Sequence, residues 1–124
     1  LKRPNALSVS GWRPLFDGQT TNGWRKYRGT GMHPQWSAAN GVLTVAGKGG
    51  DAGDIVTVDQ FGDFELELEW KVGRAGNSGI FYRGDESGGS IYETAPEMQV
   101  LDDARHADGK NPLTSAGANY ALYA

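Results

Sequence analysis

Residues 63–72, DFELELEWKV, alternate apolar and charged side chains without a break. Phe64, Leu66, Leu68, Trp70 and Val72 fall on one side of an extended chain, and Glu65, Glu67, Glu69 and Lys71 on the other. A helix repeats its faces every 3.6 residues, so a period of two predicts a half-buried antiparallel strand. An apolar sheet face needs a second layer to cover it. No segment of the chain carries a convincing 3.6-residue stripe, so the covering layer is expected to be another sheet. Composition agrees. Glycine occurs 19 times in 124 residues, about twice ordinary usage. With four Trp, five Tyr and four Phe beside it, this suits short strands joined by tight turns.

The length fits one domain that buries roughly two thirds of its surface. The longest apolar runs are a few residues, which excludes a transmembrane helix. Twelve basic against 15 acidic residues give a net charge of −3, with no basic stripe; a nucleic-acid partner is not expected. Cysteine is absent, which excludes disulfides, thiolate metal sites and a cysteine nucleophile. The opening LKRPNALSVS has no long apolar stretch, so no signal peptide is legible in it. A first residue Leu1 instead of Met points to a processed or trimmed N-terminus.

Along the chain, residues 1–14 read as a poorly ordered lead-in and residues 15–124 as the domain proper. LFDGQTTNGW (15–24) holds two turn signals, Asp17-Gly18 and Asn22-Gly23. WSAA (36–39), Asn40-Gly41 and VLTV (42–45) predict a hairpin with a type I′ turn. GKGGDAGD (47–54) is a loop and IVTV (55–58) a short strand. GRAGN (73–77) turns the chain into a strand SGIFYR (78–83). GDESGGS (84–90) is a loop, and EMQVLD (97–102) alternates again. Residues 103–119 form a long polar loop, and YALYA (120–124) reads as a strand beginning. That start leaves the covering sheet incomplete, so an exposed apolar face and unpaired strand edges are expected, both aggregation liabilities.

Two short motifs are set aside. GDESGG (84–89) resembles the surroundings of a serine-protease nucleophile but carries an extra Glu86, and only His33 and His106 are available as base. GKGGDA (47–52) fits a G-x-G-x-x-A pattern, but no helix follows to cradle a phosphate. Glu65, Glu67 and Glu69 recur about 6.5–7 Å apart on one strand face, either as a solvated face or as an acidic sugar-binding one. YETAPEMQVLDD (92–103) is the most informative stretch. Met98 and Val100 belong in a core with Phe64, Leu66, Leu68 and Trp70. Glu97 and Gln99 then lie on the opposite, open face, with Glu93 just before them. Arg83 ends the preceding strand and can reach that face; Asp102 and His106 lie beside the polar loop.

LFDGQTTNGW, the W…NGVLTV hairpin, QFGDFELELEWKV (60–72), GNSGIFYR (76–83) and YETAPEMQVLDDARHADG (92–109) occur in this order and at spacings that resemble the 3-keto-disaccharide hydrolase domain family. The resemblance runs from Leu15 onward. It implies a concanavalin-A-like lectin/glucanase jelly roll of two antiparallel sheets with a sugar-binding concave face. It also implies cleavage of glycosides first oxidised at C3 by a separate sugar 3-dehydrogenase, and an extracytoplasmic, bacterial setting. Family members commonly have Gly where this chain has Ala95, in a turn, and their domain continues for several strands beyond YALYA. The matching polar positions are Arg83, Glu93, Glu97, Gln99, Asp102 and His106.

Base-catalysed elimination at C2 fits these residue types. A C3 ketone acidifies the C2–H; one base removes it, C1–O breaks, and water later adds back, directly or through a partner enzyme. Such a site needs one placed base and donors for the enolate oxygen. Glu97 is the expected base, Arg83 or His106 the enolate stabiliser, and Gln99 a hydroxyl holder, with Glu93 and Asp102 also expected to contact substrate. A divalent metal is an alternative electrophile, with Glu93, Asp102 and His106 as ligands of suitable kind. Two other classes remain open. A non-catalytic carbohydrate-binding module would use its aromatics as a platform. An ordinary glycosidase would pair Glu97 with a second acid about 5–5.5 or 6.5–9.5 Å away.

Overall fold

A computed structural model of the chain describes residues 11–47 and 53–124. Residues 1–10 of the predicted lead-in and 48–52 of the predicted loop lie outside the described residues. Among the described residues there is no α-helix, and six short strands pair as three antiparallel two-stranded sheets. The all-β class with antiparallel pairing is as expected for part of a jelly roll. The chain divides into two compact units, residues 1–68 and 69–124.

In the first unit, β1 (Trp24–Lys26) pairs with β4 (Ile55–Thr57), and β2 (Trp36–Ala39) with β3 (Val42–Val45). The β2–β3 register sets Ala39 opposite Val42, leaving Asn40 and Gly41 as the whole loop. Their φ angles are 52° and 80°, both positive as a type I′ turn requires. Trp36, Ala38, Leu43 and Val45 are half-buried while their sequence neighbours on the strands are exposed, the single-faced burial that alternation produces. Each strand-borne Trp is tied down by its indole N–H. Trp24 donates to the Leu15 carbonyl at 2.7 Å and Trp36 to that of Gly53 at 3.0 Å.

In the second unit, β5 (Asn77–Phe81) pairs with β6 (Glu97–Leu101), setting Gly79 opposite Gln99 and Phe81 opposite Glu97. The far edge of β6 is also paired. Gln99 donates to the Ala118 carbonyl and accepts from Gly117 N–H, both at 2.9 Å, and the Glu97 carbonyl accepts from Tyr120 N–H at 2.9 Å. Residues 117–120 therefore run beside β6 as a third ribbon. The buried apolar side chains among the described residues are Ile91, Val100, Leu101 and Ala118, all in this unit.

Three expectations are corrected. Segment 63–72 belongs to none of the three sheets, and Phe64, Leu66, Leu68 and Trp70 are 38% to 45% exposed. Alternation decides which side chains share a face, but a ladder needs a neighbouring strand, and no described strand pairs with this one. Of the six residues expected to form a core, only Val100 is buried. YALYA likewise does not start a strand. Ala121 has φ 60°, and Asn119 and Tyr123 close on each other as an isolated bridge, so the chain folds back on itself.

A Cβ at Gly41 would meet nothing within 4 Å, so substitution there isolates the backbone cost. Gly41→Ala should destabilise by about 1–2 kcal/mol. Gly41→Asn should lose less, since Asn tolerates the left-handed region. Denaturant unfolding of the three proteins checks the order; equal stability of all three would contradict a type I′ turn.

Candidate functional site

Alternation on β5 and β6 decides which side chains meet. The register puts Asn77, Gly79 and Phe81 on the same face as Glu97, Gln99 and Leu101. Asn77, Phe81, Glu97 and Gln99 line an open cavity of about 450 Å³, within the size range of small-molecule sites. Tyr120, hydrogen-bonded through its backbone to Glu97, and Tyr92, on the 3₁₀ turn Ile91–Glu93, complete the lining. Tyr92 is 70% exposed and stands at the mouth. Three aromatic rings around one carboxylate and two amides is an arrangement suited to a sugar. Rings cover its apolar C–H faces, and polar groups take its hydroxyls.

Gln99 departs from expectation. Expected on the open face beside Glu97, it lines the cavity but is 1% exposed, because the 111–118 loop folds over β6. Its Nε2 donates to the Thr114 carbonyl at 3.1 Å. A carbonyl only accepts, so this bond fixes which way the amide faces. Oε1 is then turned away from Thr114, buried and without a hydrogen-bond partner. Leaving such an acceptor unpaired costs about 1–3 kcal/mol, and a ligand donor reaching it would recover that cost.

The other predicted site residues do not line this cavity. Asp102 Oδ2 accepts the Ala75 N–H at 2.8 Å and stands 3.4 Å from Arg105 Nη1. The Asp102 backbone N–H donates to the Gly76 carbonyl at 3.0 Å. Asp102 thus fastens the 73–76 turn to the end of β6. His106 caps the 3₁₀ turn Ala107–Lys110, its Nδ1 accepting Asp108 N–H at 3.2 Å. Glu93 accepts the Gly89 N–H at 3.0 Å and is exposed. Arg83, just beyond β5, is exposed with φ 56°. The proposed ligand trio of Glu93, Asp102 and His106 is therefore not assembled. No group of three or more His, Cys, Asp or Glu side chains able to hold a metal exists among the described residues. In the GDESGG loop, the Asp85 carboxylate accepts both the N–H and the hydroxyl of Ser87, closing a turn. Sequence reasoning missed Asn77, Phe81, Tyr92 and Tyr120. The first two were within reach, since setting GNSGIF antiparallel to EMQVL brings them to the face of Glu97.

Among the described residues no helix is long and apolar enough to cross a membrane. Residues 11–124 match the model of the 3-keto-alpha-glucoside-1,2-lyase-like domain family. A 3-keto-disaccharide hydrolase of Bacteroides thetaiotaomicron is 40% identical over 94% of this chain and 46% of its own. The chain thus spans about half the length of the relative it matches. A crystal structure of a candidate glycosyl hydrolase from Parabacteroides distasonis superposes with TM-score 0.66 at 28% identity, covering 88% of this chain and 54% of that one.

The Ala75 N–H, and after it the Arg105 charge, hold the Asp102 carboxyl below the usual carboxylate range. A carboxyl lowered in the folded state stabilises above its unfolded pKa, and the effect fades as pH falls through the folded value. Asp102→Asn should therefore lower the melting temperature near neutral pH. The gap should close as pH falls below the usual carboxylate range. A gap of constant size down to that pH would show that the charge of Asp102 contributes nothing.

Proposed function

The chain belongs to the 3-keto-alpha-glucoside-1,2-lyase-like family, and from that premise we propose that it cleaves 3-keto-glycosides by elimination, with Glu97 as the base. The observation that carries this is the cavity's composition: among its described lining residues Glu97 is the only carboxylate. A glycosidase working on an unoxidised sugar needs two acids at set separations. Elimination next to a ketone needs one base. The family to which the chain belongs and the Bacteroides 3-keto-disaccharide hydrolase it resembles support the same substrate class.

In this reading the sugar ring rests among Phe81, Tyr92 and Tyr120, with its C2–H toward the Glu97 carboxylate. Glu97 takes the C2 proton, and the electron pair passes into the C3 ketone as an enolate. The enolate re-forms the ketone as the C1–O bond breaks, leaving a C1=C2 double bond, and the departing oxygen takes up a proton. Water then adds across that bond, hydroxyl at C1 and hydrogen at C2. The enolate oxygen takes its hydrogen bonds from the donors that line the cavity, Asn77, Tyr92 and Tyr120, ahead of Arg83 and His106, which do not line it. Gln99 Oε1 holds a substrate hydroxyl. The upstream sugar 3-dehydrogenase and the extracytoplasmic location implied by the resemblance belong to the same proposal.

Glu97→Gln keeps the shape of the side chain and removes the base. A positioned base contributes about 10²–10⁴-fold, so kcat on a 3-keto disaccharide should fall by that order while binding changes little. The unoxidised parent sugar should not be cleaved by the unaltered protein. Retained binding with no cleavage of either sugar would favour a carbohydrate-binding module. Equal cleavage of both would favour an ordinary glycosidase.

A further inference from the structure

The Glu97 side chain does not lie squarely across from Phe81, its register partner, but leans diagonally over β5 to Gly79. A Cβ at position 79 would sit 2.6 Å from Glu97 Cδ and 2.7 Å from its Cγ, and closer still to Oε1. Real Cβ atoms do not approach other heavy atoms that closely. The carboxylate therefore occupies the space that any side chain at 79 would fill. Phe81, the register partner of Glu97, lines the same cavity, and over Gly79 the carboxylate meets no side chain of that residue. Gly79 is in a strand interior, where glycine ordinarily weakens a sheet and marks a close approach. Here the approaching group is the proposed base itself.

We propose that Gly79 is a positioning residue for Glu97: its missing side chain creates the slot that holds the carboxylate at the cavity floor. This rests on the reading of Glu97 as the base. The three nearest atoms that a methyl group at 79 would meet, Cγ, Cδ and Oε1, all belong to the flexible Glu97 side chain and none to backbone, so rotation about its χ1 relieves the clash at small cost to stability. What that rotation changes is the location of the carboxylate. Displacing a reacting group by about 1 Å can cost 10²-fold in rate. Gly79→Ala is thus expected to separate activity from folding, unlike an ordinary strand glycine, whose replacement by alanine changes stability alone.

The test compares four proteins in their full length: unaltered, Gly79→Ala, Glu97→Gln and the double variant. Gly79→Ala should melt close to the unaltered protein, with kcat on a 3-keto disaccharide down about 10²-fold and KM little changed. The double variant should be no slower than Glu97→Gln, because Gly79 acts through a group already disabled. Unaltered kcat in Gly79→Ala, or losses that multiply in the double variant, would overturn the proposal. Should Gly79→Ala melt too low to assay, Glu97→Ala removes the clashing side chain. Melting of Gly79→Ala/Glu97→Ala should then equal that of Glu97→Ala, and a deficit that persists would show that the contact is not with Glu97. Full activity in Glu97→Gln would sink the base assignment instead, and the melting comparison alone would then decide the contact.

Discussion

The candidate site depends on β6 being hydrogen-bonded along both edges. A lone hairpin of five-residue strands is marginal in water. Here β5 takes one edge of β6, and residues 117–120 take the other through Gln99 and Glu97. With both edges satisfied, the strand's two faces are fixed, because a slip of one residue would exchange them. One face sends Val100 inward. The other presents Glu97 to the cavity and buries Gln99 beneath the loop that also supplies Thr114 and Tyr120. Asp102 anchors the end of this arrangement through the Ala75 N–H.

What could be read from the sequence was local. Asn40-Gly41 names its own turn, and the alternation of EMQVL places Glu97 and Gln99 together, because both depend on neighbours one or two residues apart. What escaped was non-local. The alternation of 63–72 is as regular as that of β6, yet it forms no ladder with a described strand, since periodicity carries no information about a partner. The burial of Gln99 depends on a loop 15 residues further along the chain. Asp102 and His106 have the chemistry of a site, but turns next to them recruit their side chains as backbone acceptors. Acidic and histidine side chains near loops serve as caps as readily as ligands. Tyr92 and Tyr120 carried no signal, since neither sits on a periodic segment.

Few charged groups line the cavity: among the described lining residues Glu97 is the single one. One carboxylate amid three aromatic rings suits a reaction whose substrate brings its own activation. A ketone beside the scissile centre does the work that a second acid performs in ordinary glycoside hydrolysis. The demand on the protein is then geometric: one base over one C–H, with the departing group free to leave. In the proposed mechanism the slot over Gly79 meets that demand without an added charge.

Deuterium incorporation tests the central claim most directly. The full-length protein would convert a 3-keto disaccharide in D₂O, with the Glu97→Gln variant and an enzyme-free sample run beside it, and NMR would read the C2 position of the released 3-keto sugar. Removal of the C2 proton followed by readdition of water places one solvent deuterium at C2, at a rate that follows cleavage and depends on Glu97. Product that keeps its original C2–H would contradict the account, because the glycosidic bond would then have broken without the step assigned to Glu97.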